Sequence, residues 1–270
     1  MSANVLDNIT QQDIVLHPFP HVVVKGALPL HLYEALAAAF PSKPVIKSAL
    51  QDACRQEPNA KSLKRSLRHL NRGNRRVNLP AKYAVHQPQI AQVWRDFIDA
   101  HSSSAFTHRL LELFAGAIAQ HYPSLLEADL RVARRGSESD ADLWVDALTA
   151  VNTPHWRRGE ITGPHTDHPN KLFIGLYYFR QPEDTAGGNL VLYRRLTPVT
   201  EGSVKWPNAR TVEPIMQIDY EPNTLVILLN TPQSVHGVTA RCRSSFHRRF
   251  VNFIVECKQL RQFAAQLPGR

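Results

Sequence analysis

The sequence predicts a mainly β domain, a sandwich or small jelly roll, backed by N-terminal helices (an α+β chain). Three observations predict it. Short apolar runs between Leu143 and Val255 are separated by Gly, Pro and Asn turns, the spacing of antiparallel strands. Residues 30–40, 88–101 and 104–121 instead place apolar side chains at helical intervals. The chain has 270 residues, 43% hydrophobic and 20% charged, which is enough to bury one sizeable core.

In order, residues 1–16 are polar and unpatterned and read as a mobile lead-in. His17 to Ala27 reads as a short strand after a proline-rich approach. Pro29-Leu30 then opens a helix with Leu30, Leu32, Tyr33, Leu36 and Phe40 on one side, and Pro41 stops it. Residues 42–80 are the least regular stretch. Within residues 55–76 lie Arg55, Lys61, Lys64, Arg65, Arg68, Arg72, Arg75 and Arg76 against one acid, Glu57. This segment reads as a solvated loop with a short polar helix, or as a basic lid over an acidic substrate. No aromatic residue interleaves these charges, so base stacking is unsupported. Two amphipathic helices follow, the second capped by Ser104 and stopped by Pro123.

From about residue 130 the character changes. Arg131 to Arg135 leads into a polar turn, Gly136-Ser137-Glu138-Ser139-Asp140. Strands are then predicted over 143–151, 172–179, 189–193, 211–218, 224–229 and 249–255. The apolar run Leu225 to Leu229 is far too short to span a bilayer. The start lacks a basic region followed by an apolar one. Cys54, Cys242 and Cys257 form no C-x-x-C pair. Together these predict a cytoplasmic protein with reduced thiols. The net charge of +9 favours an anionic substrate or nucleic acid, and it equally suits a plain basic surface.

The chemistry concentrates in Gly163-Pro164-His165-Thr166-Asp167-His168-Pro169. On an extended chain His165 and Asp167 point to the same side. With His236 they would form a two-histidine, one-carboxylate face on a metal ion, leaving the other face open. The pair alone decides little, because 13 His and 12 Asp in 270 residues give ~0.6 such pairs by chance. Context adds to it. A Tyr-bearing strand (Phe173 to Phe179), a Gly187-Gly188-Asn189-Leu190 turn, the segment Asn223 to Asn230, His236-Gly237 and Arg248-Arg249-Phe250-Val251-Asn252-Phe253 follow in that order.

This ordered set resembles the iron(II)- and 2-oxoglutarate-dependent oxygenases of the prolyl 4-hydroxylase type, over roughly residues 130–257. The resemblance implies a double-stranded β-helix (jelly roll) core over 129–260, a strand-and-helix support over 1–128 and a tail over 261–270. It implies His165, Asp167 and His236 as iron ligands. Arg249 would bind the far carboxylate of 2-oxoglutarate, with Arg248 as competitor, and Tyr178 would assist, with Tyr177 as its alternative. Dioxygen and 2-oxoglutarate would be co-substrates, and ascorbate a supporting reductant. The reaction implied is hydroxylation of a small-molecule or peptidyl substrate with release of succinate and carbon dioxide. The presence of Asp167 favours hydroxylation over halogenation. His168 would lie beside the ligands without joining them, and His121, His155 and His247 would be ordinary polar or surface residues. Other readings of the same residues are a hydrolytic zinc site, a nucleic-acid demethylase or binding protein using residues 55–76, and a jelly-roll module without turnover.

Overall fold

A computed structural model describes residues 4–137, 140–156, 159, 162–198 and 205–264. In chain order the elements begin with strand β1 (His21–Lys25) and helices α1 (Leu30–Ala38), α2 (Lys43–Gln56) and α3 (Lys61–His69). Strand β2 (Arg76–Leu79) and helices α4 (Ala81–Ala84), α5 (Gln92–Ala100), α6 (Ser104–Leu113) and α7 (Ala115–His121) follow. The remaining strands are β3 (Val132–Arg134), β4 (Leu143–Asn152), β5 (Thr162–His165), β6 (Lys171–Tyr178), β7 (Leu190–Arg195), β8 (Val212–Ile218), β9 (Thr224–Leu229), β10 (His236–Val238) and β11 (Arg248–Cys257).

The strands form two sheets. The larger runs β1-β9-β6-β11-β4-β2 with β3 added in parallel to β4, and the smaller runs β5-β10-β7-β8. From β4 to β11 the chain passes repeatedly between the two sheets, closing the double-stranded β-helix that the sequence predicts. Period-two alternation divides each central strand between two cores. On β9, Val226 and Leu228 face the barrel interior with Ile174, Leu176, Leu190 and Leu192. Leu225, Ile227 and Leu229 face the helices. On that helical side, Trp94 packs edge-on against Phe40 and Phe179 and donates Nε1–H to Thr149 Oγ1 at 3.0 Å.

Several expectations are corrected. The described part of the N-terminal lead-in is packed, not loose: Val5, Leu6 and Ile9 are each 1% exposed, and the Val5 N–H donates to His101 Nε2 at 3.1 Å. Residues 42–80 are regular. Ile46, Ala49, Leu50 and Ala53 form the buried stripe of α2, and β2 pairs with β4. Leu30 is exposed although it opens α1. Ser103, not Ser104, caps α6, accepting from the Phe106 N–H at 3.3 Å. The expected helix over 104–121 is interrupted at Phe114. Residues 1–128 thus supply two strands of the large sheet as well as the helices. Part of the polar turn (138–139) and most of the tail (265–270) lie outside the described residues. Among the described residues no helix is long and apolar enough to cross a membrane.

Candidate metal centre

His165 ends β5 and His236 begins β10, and the two stand opposite each other in the antiparallel register of these strands. Their ring centroids are 4.6 Å apart. Each Nδ1 lies 3.0 Å from a backbone carbonyl two residues earlier, Gly163 O and Ser234 O. A carbonyl can only accept, so each Nδ1 carries a proton, which makes Nε2 the atom available to ligate. Asp167, two residues beyond His165, brings Oδ2 to 3.5 Å from His236 Nε2. One ligating atom from each of His165, Asp167 and His236 lies within 4.8 Å of the others. Such a set could hold one metal ion from one face of a site.

The electrostatics match this donor set. Burial pulls the His165 pKa down to about 4, helped by His236, so the imidazole is neutral and able to ligate at pH 7. Burial alone would raise the Asp167 carboxyl, but His236 and Lys171 outweigh it and hold the group well below its ordinary value. Lys171 Nζ sits 2.9 Å from Asp167 Oδ1. Trp206, 57% exposed, stacks on the His165 ring with centroids 4.8 Å apart.

Deeper in the barrel lies Arg248. Phe250 stands opposite Tyr178 in register, and Arg248, two residues before Phe250, shares its face. Arg248 is 2% exposed and donates Nε–H to Gly188 O at 2.9 Å. Its guanidinium carbon lies 4.9, 4.8 and 4.9 Å from the rings of Tyr178, Tyr220 and Phe250. Tyr178 Oη and Arg248 Nη2 are both buried without a hydrogen-bond partner among the described residues. Gly188 makes the room: at φ +93° it takes a conformation that suits glycine, and an added Cβ would lie 3.2 Å from Arg248 Cδ and 3.0 Å from Arg241 Cγ.

Arg249 is therefore misplaced for the role the resemblance gave it. It faces the opposite side of β11, its guanidinium carbon 5.2 Å from the Phe40 ring centre. Alternation turns Arg248 inward instead. The same alternation keeps Tyr178 inside and turns Tyr177 to the helices, where its hydroxyl donates to Asn223 Oδ1 at 2.7 Å. His168 takes part in a local turn, its Nδ1 accepting from the Asn170 N–H at 3.3 Å. His155 is buried rather than superficial. Sequence reasoning missed two residues at the site. Trp206 carried no signal. Arg76 was counted only within a basic run, although the alternation Arg76-Val77-Asn78-Leu79, with Val77 and Leu79 buried, was a readable strand signature.

Fold and donor set together define a double-stranded β-helix carrying a two-histidine, one-aspartate cluster. No family model matches the chain, and no curated protein matches it in sequence. Among solved structures it is similar to a prolyl-4-hydroxylase of Pseudomonas putida, at 14% identity over 92% of this chain and 97% of that one, with a TM-score of 0.42. It is similar to a prolyl hydroxylase of Trichoplax adhaerens in complex with a hypoxia inducible factor oxygen degradation domain peptide fragment, at 11% identity, TM-score 0.43, over 97% and 93% of the two chains. A viral collagen prolyl hydroxylase from Paramecium Bursaria Chlorella virus-1, a 2OG complex, aligns at 10% identity and TM-score 0.36 over 88% and 96%. At such distances the reading of the centre rests on this chain's own geometry.

Proposed function

We propose that the protein is an iron(II)- and 2-oxoglutarate-dependent hydroxylase acting on a small-molecule or peptidyl substrate. The observation that carries the reading is the pair of orphaned donors, Tyr178 Oη and Arg248 Nη2. Both are buried in the barrel that bears the ligand cluster. A buried donor without an acceptor costs roughly 1–3 kcal/mol, and a carboxylate reaching in from the metal would satisfy both. A guanidinium fork suits that partner in shape and charge. Burial raises the Tyr178 pKa against the pull of Arg248, so the hydroxyl keeps its proton and can donate it.

When bound, iron(II), 2-oxoglutarate and dioxygen would supply the oxidising power for hydroxylating a C–H bond, with succinate and carbon dioxide as coproducts. The chain's own tasks are separate from that chemistry. His165 and His236 would present their Nε2 atoms to the metal, with each ring's orientation fixed by the carbonyls of Gly163 and Ser234. Asp167 supplies the anionic ligand, and Lys171 steadies its other oxygen. Arg248 and Tyr178 orient the co-substrate by its far carboxylate. Ile174, Leu176 and Leu192 around them keep water from the buried end.

The test is an anaerobic titration of apo-protein with Fe(II) and then 2-oxoglutarate, beside His165→Ala. The visible charge-transfer band of a chelated keto acid should appear in the wild type and be lost in the variant. Iron binding without such a band would remove the oxygenase reading and turn attention to hydrolytic zinc. Succinate release then screens substrates.

A further inference from the structure

Arg76 reaches the same chamber from the other side of β4. Arg76 and Arg248 are each paired in register with Asn152, one through β2 and the other through β11. Register partners share a face, so both guanidinium groups project toward the barrel. Each guanidinium carbon lies about 5 Å from the Phe250 ring centre, 5.0 Å for Arg76 and 4.9 Å for Arg248.

The two differ in their surroundings. Arg248 is sealed in, whereas Arg76, though its guanidinium is crowded by protein atoms, belongs to a residue that is exposed to solvent. Two neutral amides hold the Arg76 fork. Nε–H donates to Asn78 Oδ1 at 3.0 Å. Asn252, oriented so that its amide nitrogen donates to Gly175 O, accepts from Nη2 at 3.0 Å. Among the described residues no carboxylate pairs with Arg76. Protein crowding round the guanidinium lowers its pKa to about 10, Asp167 opposing and Arg248 reinforcing that shift, so it stays cationic at pH 7. Asp167 is already engaged by Lys171, and the Arg241 charge is matched by Asp184 at 2.8 Å. Arg76 is therefore an oriented cation with no carboxylate partner among the described residues, close enough to the ligand cluster to feel Asp167.

We infer that Arg76 is the specificity-determining residue for the primary substrate, and that it binds a carboxylate on that substrate. The inference rests on the hydroxylase reading for its account of Arg248, which is reserved for the co-substrate. The Nη1 edge of Arg76, away from the Asn78 bond, is the edge offered to the substrate. A carboxylate held there would anchor the substrate at the mouth while its C–H bonds extend toward His165, Asp167 and His236. The anion's source is either a free α-carboxylate or an acidic side chain, and both present the same group.

The experiment uses the full chain loaded with redox-inert Zn(II), with and without 2-oxoglutarate. Saturation-transfer NMR reads the binding of N-acetyl amino acids, each as the free acid and as the primary amide. Arg76→Gln, Arg76→Lys and Arg248→Met are compared with the wild type. Some carboxylate-bearing probe should bind at least about tenfold more tightly than its neutral counterpart, the effect of one charge-assisted hydrogen bond. Arg76→Gln should erase that preference, Arg76→Lys should keep part of it, and 2-oxoglutarate affinity should stay within about twofold in both, since both variants leave in place the Arg248 and Tyr178 donors that would hold its carboxylate. A preference for free acids across residue types assigns an α-carboxylate, and one confined to acetyl-aspartyl and acetyl-glutamyl amides assigns a side chain. The inference is overturned if no probe shows a preference or if the preference survives in Arg76→Gln. It is overturned equally if Arg76→Gln weakens 2-oxoglutarate as much as Arg248→Met does. Failure of 2-oxoglutarate to bind the wild type would defeat the hydroxylase reading instead, and the carboxylate preference is still read on the zinc-loaded chain.

Discussion

Arg248 and Tyr178 sit side by side inside the barrel, guanidinium carbon to ring centre 4.9 Å, and each keeps a buried donor with no acceptor among the described residues. Arg249, one residue on, lies on the far side of the sheet over Phe40. Arg248→Met should weaken 2-oxoglutarate about 100-fold, the cost of removing one partner from a buried charged pair. Arg249→Met should change it by less than about threefold, as a substitution outside the site does. Anaerobic titration of the charge-transfer band separates them, and equal losses would contradict the inward placement of Arg248.

Gly188 links the backbone to that clamp. Its φ of +93° and the 3.2 Å from an added Cβ to Arg248 Cδ leave no strain-free place for a side chain. Gly188→Ala should cost about 1–3 kcal/mol of stability. It should also weaken 2-oxoglutarate about tenfold by displacing Arg248, a second consequence that a purely local strain would not produce. Denaturant unfolding and the same titration read the two effects, and intact co-substrate affinity would show that Arg248 does not depend on this turn.

The barrel strands were legible because their apolar runs and turns are regular, and the meeting of His165, Asp167 and His236 because the two histidines sit at strand ends. The phase of β11 was not legible. Its sheet is buried on both faces, so Phe250 and Ile254 on one side and Val251, Phe253 and Val255 on the other are all apolar. Hydrophobicity then cannot say which of Arg248 and Arg249 points inward, and only pairing with β6 decides it. Residues 42–56 did carry a helical stripe, Ile46, Ala49, Leu50 and Ala53, but two of its members are alanines and the charges around it hid it. Val5, Leu6 and Ile9 have no short-range pattern, and their burial depends on a partner 96 residues away.

That partner gives a pH signature. His101 Nδ1–H donates to Phe97 O at 2.7 Å and Nε2 accepts from the Val5 N–H, so the ring has no room for a second proton. Burial lowers its pKa to about 4, against about 6.5 in an unfolded chain. Between these values the unfolded state binds more protons, so this stabilisation is complete above pH 6.5 and fades as pH falls toward 4. The stability advantage of wild type over His101→Phe should shrink by about 2 kcal/mol between pH 7 and pH 5. Urea unfolding at the two pH values measures it, and a constant difference would mean that His101 titrates normally in the folded protein.

Asp146 predicts the opposite sign. It is 2% exposed on β4 and accepts the Ala81 N–H at Oδ1, 3.0 Å away. Burial raises its pKa to about 6, although the Ala81 N–H, Arg135 and Arg134 pull the other way. An unfolded aspartate titrates near 3.9, so from about pH 4 to 6 the folded state holds the proton that the unfolded state has released. Stability therefore falls as pH rises through that window, and the full penalty for the buried charge is present above it. Asp146→Asn keeps an oxygen for Ala81 and cannot ionise. It should leave stability nearly unchanged at pH 4 and raise it by about 3 kcal/mol at pH 7.5, the free energy of a shift of that size. Unfolding of both proteins at the two pH values decides the matter. An equal gain at both would place the effect in packing, and a loss at pH 7.5 would mean that the ionised carboxylate, held by Arg134 and Arg135, is worth more to the fold than its burial costs.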